Sequence, residues 1–155
     1  MYLDHAATTA IRPEAVSAYL RGIEEANANA SGTHGAARAA KNALEQARER
    51  AAELLGSSRP DEIVFTSGGT ESDNLALKGA VGNATPRTGV VTVVSEHEAV
   101  LESRGFLRRQ GSPTSIVGID SRGMVAADDL VDAVGEDDAV VSVMLTNNES
   151  GAVQD

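Results

Sequence analysis

One stretch, Glu62-Ile-Val-Phe-Thr-Ser-Gly-Gly-Thr-Glu-Ser-Asp-Asn74, limits the folds open to this chain more than any other, because an apolar run passes through two glycines straight into a helical pattern. Ile63, Val64 and Phe65 are β-branched or aromatic and predict a buried strand. Gly68 and Gly69 permit backbone conformations and close approaches that a Cβ would block. Thr70 is the N-cap candidate; with Asp73 three residues on it makes a variant of the capping box, and Leu75, Ala76, Gly79 and Ala80 continue at helical spacing. Such a junction turns unpaired backbone N–H groups and the positive end of a helix dipole toward whatever lies beyond the strand, and an anion, typically phosphate, suits that place. The plainer alternative is that Glu71 and Asp73 answer the dipole themselves. The loop lacks the lysine of the P-loop pattern, and the dinucleotide fingerprint G-x-G-x-x-G is absent.

Around this junction, strand and helix patterns alternate. Residues 1–12 form an arm, in which Asp4-His-Ala-Ala-Thr-Thr9 has small and hydroxyl residues without helical spacing and predicts extended chain. Pro13 suits a first helical turn, and Ala15, Val16, Tyr19, Leu20 and Ile23 make an apolar stripe ending near Ala26. A small polar loop, Asn27 to Thr33, leads to a long helix from about His34 to Leu55, with Leu44, Ala47, Ala51, Leu54 and Leu55 facing inward and Gly56 as its C-cap. Beyond the glycine junction, Val90 to Val94 is a β-branched strand that stops at Ser95-Glu-His97, and a helix through Leu107 follows. Ser115 to Ile119 is a further strand, Asp128 to Val134 a short helix and Ala139 to Leu145 a last strand. Gly82 to Gly89 reads as a surface turn. This order predicts an α/β fold with a mostly parallel sheet, right-handed crossovers and helices on both faces.

At 155 residues one domain is expected. The formal net charge of −10 argues against a nucleic-acid-binding surface. Without cysteine there is no disulfide, thiolate metal site or thiol nucleophile within these residues. The start carries no basic or long apolar leader, and no run approaches the roughly 18 apolar residues of a membrane span. A soluble cytoplasmic protein is the expectation, with no membrane partner.

In an open α/β sheet the ligand lies beyond the carboxyl ends of the strands, and three such ends carry polar residues: Gly69-Thr70, His97 and Asn147-Asn148. Singly, a loop histidine is usually a surface residue and paired asparagines are usually turn formers; together with the glycine loop they argue better for a site. An imidazole offers a flat face and a near-neutral pKa, and an asparagine amide donates to an oxygen without adding charge. His5, His34 and His97 do not have metal-ligand spacing, and Glu96-His97-Glu98 is not H-E-x-x-H.

The segment Ser67 to Asn74 resembles the cofactor-phosphate loop of the cysteine desulfurases, pyridoxal-phosphate enzymes of the class V aminotransferase group. Tyr2 to Thr9 resembles the family's opening, Asn29 to Arg38 its next loop and helix, Ser95 to Val100 its cofactor-stacking histidine segment and Thr146 to Asp155 its asparagine segment. Ala10, Ala30, Gly32 and Ala37 depart from that pattern, whereas His34 and Arg38 match it. The likeness implies the N-terminal part of the large cofactor-binding domain of a fold type I aminotransferase, with residues 13–155 a partial domain and the rest expected beyond Asp155. It implies pyridoxal 5'-phosphate as cofactor, its phosphate held by Gly69 and Thr70. His97 would stack on the ring and move protons, and Asn148 would donate to the ring hydroxyl or the substrate carboxylate. Ala7 and Thr8 would lie on the substrate side.

The implied reaction takes sulfur from L-cysteine, giving L-alanine and an enzyme persulfide for iron–sulfur cluster assembly or RNA thiolation. A sulfur-acceptor protein such as an iron–sulfur scaffold would be a partner, and the complete enzyme a homodimer. Within this chain Lys41 and Lys78 are the only lysines. Lys41 sits in the long helix, and Lys78 lies about 12 Å along its helix from Thr70 at 1.5 Å per residue. Neither matches the family's lysine, which, with the aspartate facing the pyridine nitrogen and the sulfur-accepting cysteine, is expected beyond Asp155. The alternatives are a selenocysteine lyase or another class V aminotransferase, or a noncatalytic module that binds a phosphorylated ligand or a complementary chain.

Overall fold

A computed structural model describes residues 1–82 and 88–155, so most of the surface turn expected between Gly82 and Gly89 lies outside the described residues. The chain divides into two compact units, Met1–Phe65 and Thr66–Asp155.

In the first unit, α1 (Pro13–Glu25) starts on its proline, and α2 (Gly35–Leu55) runs to Gly56, whose φ of 73° makes the predicted left-handed C-cap. His34 caps α2 through Nδ1, which accepts from Ala37 N at 3.2 Å. The buried face of α2 consists of Ala37, Ala40 and Ala52. Leu44, Ala47, Leu54 and Leu55, expected to face inward, are exposed instead, and α1 buries none of its apolar stripe. Only small side chains of α2 are buried, and the larger apolar ones of both helices are left uncovered.

Two further expectations fail in this unit. The arm is not simply extended: residues 5–7 make a turn in which Asp4 O accepts from the amides of Ala7 and Thr8 at 3.2 and 3.4 Å. Asp4 Oδ1 also accepts from Ala7 N at 3.3 Å. The Asp4 carbonyl thus gathers both amides, and its carboxylate adds a second contact to the Ala7 amide three residues on. Nor is Ile63–Phe65 a buried strand. It follows a 3-10 turn, Pro60–Glu62, has no ladder partner among the described residues, and leaves Val64 61% and Phe65 49% exposed. Its anchor is a side chain: Arg48 donates to Ile63 O and stacks over the Phe65 ring at 5.2 Å.

The second unit is the α/β body. Helix α3 (Gly69–Gly82) precedes β1 (Gly89–Val93), α4 (Glu98–Arg109), β2 (Thr114–Val117), α5 (Ala127–Ala133) and β3 (Asp138–Ser142). The strands pair in parallel in the order β2-β1-β3. The middle strand is wholly buried, which is why it reads as an unbroken β-branched run rather than an alternating one. Successive side chains serve opposite faces. Val90 packs with Leu77 and Val81 of α3 and Val100 and Leu107 of α4, whereas Val91 and Val93 pack with Val117, Val125 and Leu130. Helices therefore cover both faces of a parallel sheet, as expected.

Candidate functional site

Parallel strands send their carboxyl ends to one edge, and that edge carries two of the three polar groups singled out in the sequence, His97 and Asn147-Asn148, whereas Gly69-Thr70 follows no strand among the described residues. After β1, Val94 N still donates to Val117 O at 2.9 Å, and a turn closed by Glu96 N to Val93 O at 3.2 Å delivers His97. His97 is the N-cap of α4, its Nδ1 accepting from Ala99 N at 3.1 Å. In the neutral imidazole this fixes the proton on Nε2. Histidine is not among the favoured N-cap residues, so this second task was invisible in the sequence. After β3, the chain turns back at residues 147–151, closed by Gly151 N to Asn147 O and Asn147 N to Ala152 O, both 2.9 Å, with Gly151 in the left-handed region at φ 74°.

These two turns and the loop after β2 surround a cleft of about 750 Å³. His97 and Asn148 both line it, with Ser95, Asp120, Arg122 and Asn147 among their neighbours. Both are exposed, and Asn148 makes no side-chain hydrogen bond among the described residues. Asp120 accepts from the amides of Met124 and Arg122 and from the Arg122 side chain, which hold its carboxyl below the usual aspartate range.

Gly69 and Thr70 belong to the same unit but do not line this cleft. Thr70 is not the cap expected of it. Ser72 N donates to Gly68 O at 3.1 Å, so the helix begins two residues earlier than a Thr70 cap would give and Thr70 lies within its first turn. The reciprocal contact comes from Glu71, which accepts from Ser67 Oγ and Ser67 N, each at 2.6 Å, and whose carboxyl is held below its ordinary value, chiefly by the Ser67 hydroxyl. Glu71 thus satisfies a donor ahead of the helix. The amides of Gly69 and Thr70 and the Thr70 hydroxyl have no partner among the described residues. A Cβ built on Gly68 or Gly69 meets nothing within 4 Å, so the space before this helix end is open.

Ala7 and Thr8 fall in the other unit, their amides engaged by Asp4. Lys78 is occupied as well: its Nζ donates to Asn74 Oδ1 and lies 4.6 Å from the centre of the Phe106 ring. Among the described residues no three His, Asp or Glu side chains gather as a metal site, and no helix is long and apolar enough to cross a membrane.

The class-V aminotransferase family profile matches residues 1–155. The chain belongs to that family. It is 41% identical over 155 residues to the cysteine desulfurase IscS of Dictyoglomus turgidum, covering 99% of this chain and 39% of the relative. It is 43% identical over 159 residues to an IscS-like cysteine desulfurase of Mycobacterium tuberculosis, covering 98% and 40%. A solved NifS-like protein superposes with a TM-score of 0.88 at 38% identity, over 96% of this chain and 41% of that one. SspA solved in complex with cysteine gives 0.88 at 34% identity, over 99% and 44%. The chain thus spans about two-fifths of the length of the relatives it matches.

Proposed function

We propose that these residues form the N-terminal part of the cofactor-binding domain of a pyridoxal-phosphate-dependent cysteine desulfurase, a cytoplasmic homodimer that passes sulfur to an acceptor protein. The observation that carries the reading is His97 and Asn148, on the turns after adjacent parallel strands, facing one cleft in a chain about 40% identical to cysteine desulfurases. The residues fit the cofactor. Its phosphate suits the open end of α3, where two amides and the Thr70 hydroxyl lack partners and a side chain on either glycine would occupy the space.

When bound, pyridoxal phosphate supplies the electron withdrawal that labilises bonds at the amino-acid carbon. The chain's own part is to hold and protonate. Gly69 and Thr70 bind the phosphate by amide and hydroxyl donation. His97 offers a flat face, and because Nδ1 is committed to the Ala99 amide, Nε2 is the nitrogen that exchanges a proton with a ligand. Asn148 contributes a neutral amide donor to an anionic oxygen.

These residues, which hold no cysteine and neither matching lysine, are not expected to turn over substrate alone; the test is to load the complete enzyme that contains them with pyridoxal phosphate, add L-cysteine and quantify alanine and protein-bound sulfur. Equimolar alanine and transferable sulfur are expected. Cofactor binding with no alanine from cysteine would overturn the desulfurase assignment, and selenocysteine run in parallel distinguishes a lyase for that substrate.

A further inference from the structure

Asn147 and Asn148 are neighbours of the same residue type, yet the fold engages them differently. Asn148 is exposed on the cleft without a side-chain partner among the described residues. Asn147 is half-buried with its side chain engaged at both ends. Its Oδ1 accepts from Glu149 N at 3.0 Å, Ser150 N at 2.8 Å and Ser150 Oγ at 3.0 Å, which shapes the turn that displays Asn148. Its Nδ2 donates to Ser95 O at 2.9 Å, across a sequence separation of 52 residues and two positions ahead of His97.

We propose that Asn147 is the positioning residue of this site: its amide joins the turn carrying His97 to the turn carrying Asn148, so that a shift of one is a shift of both. A second tie runs alongside. Glu96, only 9% exposed, accepts from Ser142 Oγ at 2.6 Å through one oxygen and from His97 N at 3.3 Å through the other. Ser142 ends β3 and Glu96 follows β1, so the carboxylate fixes the His97 backbone to the neighbouring strand end. An asparagine suits the first tie because it must donate at one atom and accept at the other. Aspartate has the shape but would set an oxygen against Ser95 O.

The functional meaning rests on reading His97 and Asn148 as ligand-facing residues; the coupling itself does not. Amide hydrogen exchange in the protein tests it. Asn147→Asp keeps the Oδ1 contacts and loses the donor, so the amides of His97 and Ala99 should exchange about tenfold faster, although the substitution lies some 50 residues away. Asn148→Asp, the same charge change one position on, should leave them unaltered. In the complete enzyme with cysteine as substrate, Asn147→Asp should lower kcat about tenfold with little change in KM. Should Asn147→Asp unfold the protein, Ser142→Ala removes only the second tie, and faster exchange confined to residues 95–99 is then expected. Unchanged exchange at 95–99, or a rise spread evenly over the unit, overturns the inference. Absence of alanine production by the unsubstituted complete enzyme would sink the desulfurase reading while the exchange result stood.

Discussion

His97 carries two tasks that its variants can separate. As N-cap of α4 it accepts from Ala99 N, and removal of such a cap costs about 0.5–2 kcal/mol. His97→Ala should therefore stay folded but melt at a lower temperature, and it should lose cysteine turnover. His97→Asn supplies a favoured cap and should restore the melting temperature without restoring turnover. Recovery of both by asparagine would show that the histidine only caps. Glu71 gives a test by pH. Its carboxyl is held below the ordinary glutamate value by Ser67, so its contribution is present above the unfolded value and lost as pH falls through the folded one. Glu71→Gln should flatten that part of the acid limb in urea-melt stability measured against pH; an unaltered acid limb would count against the Ser67 contact. At this scale the sequence placed His97 and Asn147-Asn148 at strand ends but did not show the local contacts each makes. The plain reading of paired asparagines as turn formers holds for Asn147 and not for Asn148. Likewise, the cap assigned to Thr70 lies two residues earlier, with the Gly68 carbonyl opening the helix and Glu71 reaching back to Ser67, contacts that spacing alone does not rank.

The elements of the second unit were legible because burial and periodicity agree there. Val90 to Val93 are fully enclosed, and a fully enclosed parallel strand announces itself as a β-branched run. The same rule misled at Ile63–Phe65, where the composition is that of a strand but no neighbouring strand among the described residues completes a ladder. Local composition records what a segment can become; pairing decides what it is. Arg48 does the anchoring instead, by a charged donor to Ile63 O and by its plane over Phe65. Arg48→Ala should lower stability by about 2 kcal/mol, and Arg48→Lys should recover little of it, because an ammonium does not reproduce the planar stack. Thermal melting with hydrogen exchange across residues 60–66 checks this; full rescue by lysine would reduce the contact to charge alone. The apolar stripe of α1 was likewise read correctly as helix, and none of it is buried, since spacing reports a face and not its neighbour.

For the molecule as a whole, holding a cofactor and anchoring it covalently fall to different residues. Lys78 is committed to Asn74 and the Phe106 ring, and Lys41 lies in α2 of the first unit. Borohydride reduction after incubation with pyridoxal phosphate should therefore label neither residue, and stoichiometric labelling of Lys78 by mass spectrometry would refute this. The central claim is narrower still: the open end of α3 receives the phosphate. Gly69→Val tests it cleanly, because the added Cβ meets nothing within 4 Å and its methyl groups extend into the space assigned to the ligand. Valine exceeds glycine in helix propensity by about 0.3 kcal/mol, so the fold should be unaffected. Titration of pyridoxal phosphate into the unsubstituted protein and Gly69→Val should show affinity at least about tenfold lower in the variant, with melting unchanged. Equal affinity in the two proteins would contradict the account.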